Sequence, residues 1–129
     1  MRVLFLYITV LMLFFAAKSF AGISTHVLNL SNEKTLENME IDLEYFENQK
    51  WKKQSTQKLD LNGKTSIEIK LKKGMYKLVF KTSDFLEYNF YPLVEVIFNV
   101  SDESEHYHIP LSLSEFGYST YKGQFPKKK

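Results

Sequence analysis

His106–Gln124 reads HYHIPLSLSEFGYSTYKGQ and carries two of the three histidines of the chain, separated by a single residue. As an extended segment, HYHIPL places Tyr107, Ile109 and Leu111 on one face and His106, His108 and Pro110 on the other, because side chains alternate along a strand. Pro110 cannot donate a ladder hydrogen bond, which assigns it to a sheet edge or a bulge. Phe116-Gly117 is a turn signal, and GYSTYKG (Gly117–Gly123) then predicts a last strand, hairpin-paired with the one before.

The same period of two runs outward through the chain. IDLEYFE (Ile41–Glu47) sets Ile41, Leu43 and Tyr45 against Asp42 and Glu44, the pattern of a half-buried strand. SIEIKL (Ser66–Leu71) repeats it, and GMYKLVFK (Gly74–Lys81) follows the turn at Lys73-Gly74. YPLVEVIFNV (Tyr91–Val100) is apolar on both faces apart from Glu95 and Asn99, which predicts a strand buried between layers or at a subunit contact. Further turns fall at Asn62-Gly63 and Ser101–Ser104. One short helix is predicted near Ser83–Tyr88, capped by Ser83 or Asp84. Seven or eight short strands at regular spacing predict an all-β fold, a sandwich of two sheets.

The N-terminus reads differently. Met1–Ala21 has Arg2, an uncharged apolar run from Val3 to Ala17, and the small residues Ser19 and Ala21 at its end. That is the layout of a signal peptide cleaved before Gly22, and the run is short for a membrane span of about 20 residues. The expected division is a signal peptide over 1–21, one domain over 22–124 and a basic tail over 125–129, in a periplasmic or secreted protein without stable membrane insertion. Arg2 and Lys18 account for the formal net charge of +2, so the chain after cleavage is neutral. A balanced domain offers no electrostatic case for nucleic acid. Cysteine is absent and aromatic residues make up 16%, so stability must come from burial, aided by self-association.

The paired histidines admit three readings. Two imidazoles on one strand face, with His26 as a third, could hold zinc, although no cysteine or carboxylate spacing strengthens that reading. A neutral imidazole can take a proton from water near neutral pH. Alternatively, both rings simply pack beside Pro110 with their nitrogens satisfied. The residue chemistry leaves all three open.

ISTHVLNL at the start of the domain, FYPLVEVIFNV, and above all HYHIPLSLSEFGYSTYKG resemble the 5-hydroxyisourate hydrolase family, the bacterial relatives of transthyretin. The resemblance covers about Ile23 to Gly123. It implies a transthyretin-like sandwich of two four-stranded sheets, a homotetramer with active sites in clefts between dimers, and hydrolysis of a ring amide of the small-molecule substrate 5-hydroxyisourate, with no metal or organic cofactor. It further implies that His26 and His108 activate water, that Lys64 occupies an arginine position, that Tyr121, Lys122, Gly123 and Gln124 form the substrate-binding terminal signature, and that His106 supports its neighbour.

The chain departs from the family pattern at three of these positions. Lys64 and Lys122 stand where arginine is expected; they keep the charge and lose the bidentate fork. Gln124 replaces a serine, and Phe125–Lys129 continue past it. These departures define the alternative, a non-catalytic transthyretin-like ligand-binding protein of the cell envelope.

Overall fold

A computed structural model describes residues 21–124, so the expected signal segment, apart from Ala21, and the tail over 125–129 lie outside the described residues. Nine strands follow in chain order: β1 (Ile23–Asn29), β2 (Glu40–Glu47), β3 (Lys50–Lys58), β4 (Lys64–Ile67), β5 (Gly74–Phe80), β6 (Val94–Val100), β7 (Tyr107–His108), β8 (Leu111–Leu113) and β9 (Tyr118–Thr120). They form two sheets. The first has the order β4-β1-β8-β9 with β7 also on β1, and the second has the order β3-β2-β5-β6.

The period-two pattern explains the packing. In the second sheet Ile41 and Leu43 of β2, Tyr76, Leu78 and Phe80 of β5, and Val94 and Val100 of β6 are buried. They join one core cluster with Ile23 and Val27 of β1, Ile67 of β4, and Tyr107, Ile109, Leu111 and Leu113. Truncating a fully buried leucine such as Leu43 to alanine typically costs about 2–5 kcal/mol, so this shared core is what holds the two layers together. The outward face of β2 and β5 is polar. Asp42 meets Lys53 at 3.4 Å and Lys81 at 3.3 Å, and Lys77 lies between Glu44 and Glu95 with its ammonium 4.3 Å from the Trp51 ring centroid.

Four expectations change. The first sheet has five strands instead of four, because Pro110 interrupts one line of pairing. Ile23 pairs with Tyr107 and Val27 with Leu111, both parallel and in the same register. A residue without an N–H splits that line into β7 and β8. The helix near Ser83–Tyr88 is absent; these residues form turns. Their polar groups bond non-helically, with the Thr82 hydroxyl donating to the Tyr91 carbonyl (2.7 Å) and the Asn89 amide donating to the carbonyls of Ser83 and Leu86. The strand expected over Ser66–Leu71 is instead Lys64–Ile67. Finally, β6 is an edge strand with Glu95, Ile97 and Asn99 exposed, so of the two expectations for it, enclosure between layers within the chain gives way and the subunit contact stands as an expectation.

Candidate active site

The site grows from β1. Alternation sends Ile23, Thr25 and Val27 into the core and leaves Ser24, His26 and Leu28 on the outer face of the first sheet. Thr25, though polar, is satisfied inside: its hydroxyl donates to the Ile109 carbonyl at 2.6 Å. β7 runs parallel alongside with Ser24 opposite His108. The same alternation puts His106 and His108 on the Ser24 side, as expected from HYHIPL. The Ser24 Oγ lies 2.7 Å from Nε2 of His106 and 2.8 Å from Nδ1 of His108.

Lys64 arrives from the other flank of β1, directly opposite His26 in the antiparallel register. A tight turn over Asp60–Gly63 delivers it. The Asp60 Oδ1 accepts from the backbone N–H of Asn62 (2.8 Å) and of Lys64 (3.0 Å), a local carboxylate turn. Gly63 has φ +74°, in the left-handed region, and a Cβ there would come within 2.8 Å of the Val27 carbonyl oxygen. The Gly63 carbonyl in turn accepts from the Val27 N–H at 2.9 Å, so the turn is fastened to β1 beside His26. Next to it a cavity of about 270 Å³ opens, lined by His26, Leu28, Lys34, Leu61 and Gly63 among others.

The electrostatics favour neutral imidazoles. Burial, and then the charge of His108, hold the His106 ring below the usual histidine range. Burial also lowers His108, followed by the charge of His26; the Ser24 backbone opposes this by favouring the protonated ring, and Lys64 adds a smaller lowering. His26 and Lys64 therefore both act on the His108 ring, whose free nitrogen is basic and unprotonated near neutrality. Among the described residues, no three of His, Cys, Asp or Glu come together in an arrangement that could hold a metal ion.

The C-terminal stretch closes over His108. The Gly123 N–H donates to the His108 carbonyl at 2.8 Å, and the two residues form an antiparallel bridge. A Cβ on Gly123 would lie 2.6 Å from the His108 Cδ2, so only glycine lets the chain pass over the ring this closely. Tyr121 and Gln124 on either side are exposed. Lys122 takes another direction: its ammonium meets Glu105 at 2.6 Å and lies 5.3 Å from the Tyr107 ring centroid. The hydrogen bond to Glu105 raises the Lys122 pKa, so this cation is held by a carboxylate.

Of the residues expected to act together, His26, His106, His108 and Lys64 share the outer face of the first sheet, and Gly123 joins them. Ser24 is the addition that the sequence reading missed. Its signal is plain in retrospect, because it stands two residues before His26 in STHVL and must share that face if the block is a strand.

The family model described as Transthyretin: HIUase/Transthyretin family matches residues 23–123. A protein of Caenorhabditis elegans named "Probable 5-hydroxyisourate hydrolase" is 38% identical over 110 residues, covering 80% of this chain and 82% of the relative. The 5-hydroxyisourate hydrolase of Salmonella dublin is 34% identical over 108 residues, covering 78% and 79%. Among solved structures, Klebsiella pneumoniae 5-hydroxyisourate hydrolase superposes with a TM-score of 0.69 at 21% identity, covering 81% of this chain and 99% of the other. Sea bream transthyretin, solved with thyroxine, gives 0.74 at 20%, covering 83% and 98%. At these identities the two structures speak for the fold, a transthyretin-like β-sandwich.

Proposed function

Because the chain belongs to the HIUase/transthyretin family, we propose that it is a 5-hydroxyisourate hydrolase acting in urate degradation. The observation that carries the reading is the convergence of His26, His106, His108 and Lys64 on one outward sheet face. Relatives named for this activity at 34–38% identity support it.

In this mechanism water binds between His26 and His108. The neutral His108 takes a proton from it as general base, and the water oxygen attacks the carbonyl carbon of a ring amide. Negative charge develops on the carbonyl oxygen, where the Lys64 ammonium stabilises it. The C–N bond then breaks, and the leaving nitrogen receives the proton held by the imidazolium. Loss of one well-placed oxyanion donor costs about 2.7–4 kcal/mol of transition-state stabilisation in comparable sites. Lysine retains the charge at this position and loses bidentate geometry. The protein works as a homotetramer, exported to the periplasm or beyond after cleavage of residues 1–21; the signal-like composition of that segment supports export.

The test is turnover. Mixed with freshly generated 5-hydroxyisourate, the purified protein accelerates loss of the ultraviolet absorbance of the substrate. His26→Ala and His108→Ala each lower kcat by about 10²-fold or more, the usual worth of a general base. A wild-type rate equal to buffer overturns the reading. Tight binding of an aromatic ligand without turnover would favour the non-catalytic ligand-binding alternative.

A further inference from the structure

We propose that Ser24 is a positioning residue whose hydroxyl bridges His106 and His108 and sets the tautomer of His108, so that its Nε2 presents a lone pair to water. The bridge itself rests on the geometry, and the choice between its two tautomers rests on the hydrolase reading.

Ser24 is buried at 7% exposure, and its Oγ sits 2.7 Å from His106 Nε2 and 2.8 Å from His108 Nδ1. A hydroxyl has one proton to donate and lone pairs to accept with. Between two neutral rings, donation to one nitrogen goes with acceptance from the other, so the two tautomers are linked. If the hydroxyl donates to His108 Nδ1, the proton of that ring sits on Nε2, and the ring cannot accept one from water. If the hydroxyl donates to His106 Nε2, it accepts from an Nδ1–H on His108, and the Nε2 of His108 is free to act as base. Only the second arrangement is competent. In that arrangement His106 Nε2 accepts from the Ser24 hydroxyl, which gives the histidine two residues before the base a part in the bridge.

The surroundings hold the bridge in place. The Ser24 carbonyl accepts from the Ile109 N–H at 2.9 Å, and the Gly22 carbonyl accepts from the Tyr107 N–H at 2.9 Å, so backbone bonds flank the bridge. The pairing of Gly123 with His108 limits movement of the ring from the other side.

The experiment combines tautomer and rate measurements on the full mature protein. Ring-nitrogen NMR of ¹⁵N-histidine-labelled wild type at pH 8 should show His108 as the Nδ1–H tautomer. Ser24→Ala should move it toward Nε2–H and lower kcat roughly tenfold, part of the worth of a general base, with KM changed less than twofold. Ser24→Thr keeps a hydroxyl and should restore both the tautomer and kcat; circular dichroism verifies that each variant is folded. An Nε2–H tautomer of His108 in the wild type overturns the inference. So does an unchanged His108 tautomer in folded Ser24→Ala. The expected tautomers in a protein without turnover would uphold the bridge while removing the hydrolase reading, so the two failures are distinguishable.

Discussion

At His108, one ring combines burial with two neighbouring groups of positive or potentially positive charge, His26 and Lys64. The consequence for pH has a definite sign. Burial and the neighbouring charges hold the folded-state pKa of His108 below the ordinary histidine value of 6.5, so the base remains available below that pH. Activity should therefore persist through pH 6.5 and decline only as pH falls through the lowered value. The same shift acts on stability. Between the folded value and 6.5 the unfolded chain binds more protons than the native one, so stability rises with pH across that window and is fully present above it. A kcat/KM profile from pH 5 to 8, with denaturant midpoints at the same values, checks both. An activity midpoint at or above 6.5 would contradict the proposed environment of the base.

Among the elements, the hairpin joining β2 and β3 shows where backbone and sequence disagree. Asn48 and Gln49 both have positive φ, 52° and 62°, the mark of a two-residue type I′ turn. Asparagine tolerates that conformation, whereas glutamine at the second position pays a steric penalty. Gln49→Gly should raise stability by about 0.5–1 kcal/mol, because the relief exceeds the added unfolded-state entropy. Thermal unfolding should then move upward by a few degrees, while activity stays the same because the turn lies on the second sheet. A lower midpoint would mean the turn is unstrained. The same hairpin marks a limit of sequence reading. KWKKQSTQK, the whole of β3, alternates poorly in hydrophobicity, because an edge strand has little apolar surface to bury, and the strand went unread. The helix expected near Ser83–Tyr88 failed for the opposite reason: capping residues were present, but Thr82 and Asn89 spend their polar groups on loop carbonyls.

For the whole molecule, β3 and β4 lie beside each other along one side of the sandwich, and β6 and β9 are the open edges of the two sheets. Beside them Tyr88, Phe90, Tyr91, Phe116 and Tyr118 are exposed and touch through the Tyr88–Phe116, Phe90–Tyr91 and Tyr91–Tyr118 ring pairs. Open edges with exposed rings favour association with further copies. Sedimentation at micromolar concentration should give a tetramer, and Phe90→Asp with Tyr118→Asp should yield smaller species; a wild type that stays monomeric would remove the proposed assembly. The all-β class, the two-layer core and the shared face of His106 and His108 were legible in the sequence, because side-chain alternation is a local property with a period of two. The length of each strand was less so, since Pro110 and the turn at Asp60–Gly63 act through pairing with β1. The tertiary structure alone decided that Ser24 bridges His106 and His108, that His26 faces Lys64, and that Lys122 is held by Glu105. Each of these joins residues distant in the chain or depends on which way a long side chain turns, and alternation along one strand carries no record of the register with its neighbours.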